Sequence, residues 1–198
     1  IAKRQQTLQR RHLRFRSQDA RAGVLHCFLI DCSGSMLAGQ RLARAKGLLM
    51  QLLQQAYRQR AQIALISFAG ERALIRVYPT AARPANSRAL QSWLQPIAGG
   101  GGTPFAHGVA TANTLLTQTK RRDPAQQRVL WLLTDGRSRE LPDAPGQTDR
   151  RIVIDCEQQR AALGRCRLLA QQWQAEYRRL DDVSFNTNQL TGTNDEQR

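Results

Sequence analysis

Two stretches constrain the fold more than any other part of this chain. "VLHCFLID" (24–31) and "RVLWLLTDG" (128–136) are almost unbroken in apolar residues until each reaches an acid, Asp31 or Asp135. A strand that is apolar at successive positions has both faces covered, as in the interior of a parallel sheet. After the first run, Leu42, Ala45, Leu49, Leu52, Leu53 and Ala56 recur at helical spacing and predict a helix from about Arg41 to Arg58. "AQIALISFAG" predicts a second strand and "ALIRVYP" a third. Their short link, Gly70-Glu71-Arg72, implies a hairpin and hence an antiparallel edge.

Asn86 or Ser87 is expected to cap a short helix stopped by Pro96. Pro104 takes the first position of a helix reaching about Gln118. "RIVIDCE" gives a fifth strand, residues 163–174 a helix, and "EYRRL" a last edge strand. The fold class is therefore α/β: a doubly wound, mostly parallel sheet with one antiparallel edge strand. In such sheets ligands bind beyond the carboxyl ends of the strands, where Asp31 and Asp135 fall.

The 198 residues suffice for one domain with a substantial core, placed at 23–182. A basic arm or linker (1–22) precedes it, with seven Lys/Arg against Asp19. The polar tail 183–198 is expected to be disordered. No run approaches the roughly 20 apolar residues that span a bilayer. Cys27, Cys32, Cys156 and Cys166 form no CxxC pair, and His12, His26 and His107 do not lie near them at ligand spacing. Neither a zinc site nor a disulfide framework is expected; reduced thiols in a cytoplasmic protein are. The net charge of +15 suits nucleic acid, anionic membrane or an acidic protein alike, and does not choose among them.

The turn "DCSGSM" after the first strand brings Asp31, Ser33 and Ser35 together. A serine nucleophile would want G-x-S-x-G; the first glycine is missing and no catalytic histidine is evident. "GGGGT" resembles a phosphate-binding loop, but no Walker lysine follows and two acids would repel the anion. Phosphoryl transfer through Asp31 lacks the second acid two residues on. Metal binding accounts for more residues at once: Asp31, Ser33, Ser35, Thr103 from the glycine loop, and Asp135. Hard oxygens without His or Cys suit Mg²⁺ or Mn²⁺, and Mg²⁺ keeps open positions. The glycines would let backbone approach the ion. Against this, either serine could cap a helix, Thr103 could cap the next, and Asp135-Gly136 is an ordinary turn pair.

D-x-S-x-S at Asp31, Ser33 and Ser35, the downstream Thr103, and T-D-G at 134–136 resemble a von Willebrand factor A domain with a metal-ion-dependent adhesion site. That resemblance implies a Rossmann-like fold. It also implies Mg²⁺ held by the two serines and the threonine, acids contributing directly or through water, and a partner carboxylate in the open position. "GGGGTPFAHGV", "LLTDGRS" and "RIVIDCEQQRAALGRCRLLAQQW" are further similar to the D subunit of magnesium chelatase and related cobaltochelatases. In that family the domain ends a larger subunit, after an AAA+-like domain and an acidic, proline-rich linker. The implied partners are an AAA+ ATPase subunit and the large catalytic chelatase subunit, which inserts metal into a tetrapyrrole. The implied role is non-catalytic docking, with no specific nucleic-acid partner. The alternatives are an adaptor for another AAA+ system and an extracellular adhesion domain.

Overall fold

The computed structural model describes residues 23–84, 88, 100–157 and 163–182. The basic arm, the polar tail, Gly99 and, apart from Arg88, the expected helix at 86–96 lie outside the described residues. Strand β1 (Val24–Asp31) is followed by a one-turn helix α1 (Gly34–Leu37), a 3-10 turn (Ala38–Gln40) and helix α2 (Arg41–Arg58). Strands β2 (Gln62–Ala69) and β3 (Arg72–Ala81) form a hairpin. Helix α3 (Phe105–Arg122), β4 (Gln127–Thr134), β5 (Arg150–Asp155), helix α4 (Arg165–Gln172) and β6 (Glu176–Arg179) complete the core.

The sheet order is β3-β2-β1-β4-β5-β6. Every neighbouring pair is parallel except β2 with β3, the antiparallel edge expected from the short link. That link is one residue shorter than expected, because Arg72 pairs with Ala69. Gly70 occupies the first turn position at φ +64, a conformation that only glycine enters cheaply. From β1 the chain winds first toward β2 and later crosses to β4, so the topological switch lies between β1 and β4. Register sets Ile30 opposite Leu133 and Thr134 opposite Asp155, bringing the carboxyl ends of three strands to one level.

The central strands are buried on both faces, which is why they read as continuous apolar runs. On one side Phe28, Ile30, Leu65 and Trp131 pack with Leu42, Leu49 and Leu53 of α2. On the other, Leu29, Ile66, Phe68 and Leu132 pack with Leu116 of α3 and Leu169 of α4. Helix α3 runs a turn past the expected Gln118 because Thr119 continues its buried stripe. The Thr119 hydroxyl donates back to the Leu115 carbonyl at 2.9 Å, which conceals its polarity.

His26 lies inside the α2-side layer, its ring 6.3 Å from that of Phe28 and 6.2 Å from that of Trp131. Its Nδ1 accepts the Trp131 indole N–H at 3.1 Å, so the ring is neutral. Burial, helped by the charge of Arg150, pushes its pKa down to about 4 from 6.5. Between those values the unfolded chain binds the extra proton and the native state does not. Stability therefore falls as pH drops from about 6.5 to about 4, by on the order of 3 kcal/mol in full. We expect His26→Phe to remove that part of the slope in thermal melts at pH 7 and pH 5. Equal wild-type and variant slopes would contradict it.

Candidate metal centre

The centre begins where β1 runs out of sheet. Asp31 is fully buried; its Oδ1 accepts the Ser33 backbone N–H at 2.9 Å, and its Oδ2 accepts the Thr134 hydroxyl at 2.7 Å. The first bond folds the turn back on itself, and the second ties β1 to β4. Ser33 precedes α1 but makes no side-chain cap bond. Its hydroxyl instead faces that of Ser35 at 3.1 Å. The capping alternative for Ser33 therefore does not hold.

The glycine loop reaches the turn through backbone alone. Gly100 N–H donates to the Cys32 carbonyl at 2.8 Å, and Gly34 N–H donates to the Gly101 carbonyl at 3.0 Å. Gly70 N–H donates to the Gly102 carbonyl at 3.0 Å. The loop is thus wedged between the serine turn and the β2–β3 hairpin, and Thr103 follows it directly in the chain. A Cβ on Gly101 would sit 2.8 Å from the Gly70 Cα, and one on Gly102 would sit 2.9 Å from the Gly70 carbonyl oxygen. These two glycines are required where backbone meets backbone. Thr103 caps no helix either: Pro104 holds the N-cap position of α3, with no side-chain cap bond.

Asp135, one residue past β4, is buried as well. Its Oδ1 accepts the Arg137 N–H at 3.1 Å, the turn role expected of an Asp-Gly pair. Its Oδ2 takes Arg41 Nη1 at 3.3 Å, and that same nitrogen donates to the Ser35 carbonyl at 2.9 Å. Burial, the largest cause, holds the Asp31 carboxyl above its ordinary pKa, and the charge of Asp135 adds to this. Hydrogen bonds from Ser33 and Thr134 pull the other way. Two buried acids thus repel at one site, a condition that an added cation relieves.

The intervening Cys32 is unsuited to chemistry, since burial pushes its thiol up to about 12. Among the described residues no three His, Cys, Asp or Glu side chains are grouped to hold a metal. The five expected residues make a different set: two carboxylates and three hydroxyls. Such hard, weakly charged donors match Mg²⁺ or Mn²⁺, which take one or two carboxylates and keep water in the remaining positions.

Arg41 and Thr134 belong to this centre and escape the sequence reading. Arg41 carried a signal, because it stands four residues before Ala45 on the stripe that α2 buries. A charge on an apolar stripe points to a partner inside the fold. Thr134 stood within the quoted T-D-G, yet only the structure shows its hydroxyl reaching across to Asp31. One strand further on, Asp155 repeats the local turn, accepting the Glu157 N–H at 2.8 Å.

The family model for the von Willebrand factor type A domain matches residues 27–137. An uncharacterized protein of Mycobacterium tuberculosis is 33% identical over 177 residues, covering 84% of this chain and 28% of that protein. The magnesium-chelatase 60 kDa subunit of Cereibacter sphaeroides is 38% identical over 124 residues, covering 63% of this chain and 20% of the subunit. The chain thus spans less than a third of the length of these relatives. Among solved structures, the manganese-loaded TRAP protein of Plasmodium vivax aligns with TM-score 0.62 at 16% identity, covering 80% of this chain and 68% of that one. BatB of Bacteroides thetaiotaomicron aligns with TM-score 0.60 at 19% identity, covering 79% and 90%. These two likenesses concern the fold alone. Strand order, site geometry and the family match converge: this chain belongs to the von Willebrand factor type A domain family.

Proposed function

We propose that this chain is a Mg²⁺-dependent docking domain of a chelatase D-type subunit. It would engage an AAA+ ATPase subunit, the large catalytic chelatase subunit, or both, and carry out no chemistry of its own. The observation that carries the reading is the pair of facing serine hydroxyls beside two buried acids at the switch point of the sheet. Similarity to magnesium-chelatase subunits supports this choice of client.

In this reading Ser33, Ser35 and Thr103 hold Mg²⁺ (Mn²⁺ would also fit), with Asp31 and Asp135 contributing directly or through water. The bound ion supplies an electrophilic open position for a carboxylate. The chain's own residues do the positioning. Thr134 and the Ser33 amide fix Asp31, the glycine clamp fixes Thr103, and Arg41 fixes Asp135. The net charge of +15 favours an acidic partner and speeds encounter at low salt. A cytoplasmic setting accords with four free, buried cysteines, and no helix among the described residues is long and apolar enough to cross a membrane.

A second reading makes the client another AAA+ system. The mycobacterial protein, similar over more of the chain than the chelatase subunits are, has no client in its name and leaves room for this reading. A pull-down from the source cell extract, with Mg²⁺ or with EDTA, separates the two. We expect a chelatase ATPase or large subunit to be retained with Mg²⁺ and released by EDTA. Retention of an unrelated AAA+ ATPase selects the second reading, and identical retention under both conditions overturns metal-dependent docking.

A further inference from the structure

The candidate metal centre already contains a cation of the protein's own. Arg41 opens α2, and its side chain is only 9% exposed. Nη1 ties the guanidinium to the serine turn through the Ser35 carbonyl at 2.9 Å and to the end of β4 through Asp135 Oδ2 at 3.3 Å. The Nε of the same group is buried without a hydrogen-bond partner among the described residues. An unpaired buried donor costs about 1–3 kcal/mol, a cost that Arg128 Nε also carries beside its ion pair with Asp149. What the geometry shows is a buried guanidinium held beside Asp135. Arg137 approaches the same oxygen only to 3.8 Å and is 36% exposed, so solvent weakens its share.

The two acids are consequently treated differently. Asp31 accepts from neutral donors, Ser33 and the Thr134 hydroxyl, and no ion pair to it is found among the described residues. Asp135 faces a buried guanidinium. Affinity for a hard divalent cation follows the charge of its donors. With both acids unbalanced, the donor charge would cancel that of the ion, and an incoming carboxylate would gain little. With Asp135 balanced, a bound ion keeps net positive charge, which a partner's acid can complete.

We propose that Arg41 is the charge-setting residue of this centre. It pairs Asp135 in the metal-free domain, and it holds Mg²⁺ affinity down so that the bound ion still attracts a carboxylate. This rests on the metal reading above and adds the residue that tunes it.

The test titrates Mg²⁺ calorimetrically into the EDTA-stripped 198-residue chain, with thermal melts alongside. Arg41→Gln should bind Mg²⁺ at least about tenfold more tightly and melt lower when metal-free. Arg41→Lys, which keeps the charge, should stay within about threefold of wild type. Should Arg41→Gln fail to fold without metal, the background is changed: Asp135→Asn should weaken binding, and adding Arg41→Gln should recover part of it. A folded Arg41→Gln with unchanged or weaker Mg²⁺ binding overturns the proposal and leaves the metal reading standing, as does a double variant with no recovery. Absence of saturable binding to wild type overturns both.

Discussion

Asp31→Ala should fold and lose Mg²⁺ binding by at least about a hundredfold, roughly 2.7 kcal/mol of binding free energy. The carboxylate is buried, and among the candidate donors it alone carries charge unopposed by a guanidinium. Removing it leaves the Thr134 hydroxyl and the Ser33 amide without their acceptor, at a cost of about 1–3 kcal/mol. Relief of repulsion with Asp135 offsets part of that cost. Asp31→Asn keeps an acceptor for the turn and should approach wild-type stability while still failing to bind. Calorimetry with circular-dichroism melts checks both variants. Unchanged Mg²⁺ affinity in either would sink the assignment of Asp31.

Gly101→Ala should be the most damaging small substitution near the site. The residue sits at φ +75, and an added Cβ meets the Gly70 Cα at 2.8 Å, where neither backbone can yield cheaply. Left-handed strain and overpacking together cost about 2–4 kcal/mol, lowering the melting temperature by about 5–15 °C for a chain of this size. Because the loop carries Thr103, Mg²⁺ affinity should fall as well. Gly47→Ala is the control: it lies exposed within α2, with nothing within 4 Å of the added methyl, and should stabilise by about 0.5–1 kcal/mol. A Gly101→Ala melt equal to wild type would show that the clamp is slack.

The contrast between these glycines shows what the sequence discloses and what it withholds. Strands β1 and β4 were legible because burial on both faces leaves an apolar run, which ends at Asp31, the last residue of β1, and just before Asp135, one residue past β4. Helix α2 was legible to the residue, since its stripe of Leu and Ala repeats at helical spacing. Asp31, Ser33 and Ser35 lie within one turn, so their meeting needed no knowledge of the fold. The contact that requires Gly101 and Gly102 was not legible, because their partner, Gly70, arrives from the β2–β3 hairpin. Periodicity assigns a residue to a face but does not say which distant backbone it meets. Arg41 escapes the pattern for a related reason: it marks a helix boundary, yet it stands on the buried stripe and needs a buried anion. The one-turn helix α1 escaped because four residues are too few to show a period.

The central claim is that these strand ends hold a divalent cation in order to dock an acidic partner. Its most direct test is a Mg²⁺ titration of the EDTA-stripped wild-type chain, followed by calorimetry and by melting temperature. The account predicts one saturable site. At about 100 times its dissociation constant, Mg²⁺ should stabilise by roughly 2.7 kcal/mol and raise the melting temperature by about 5–10 °C. No saturable heat, with a melting temperature indifferent to Mg²⁺ and Mn²⁺, would contradict it.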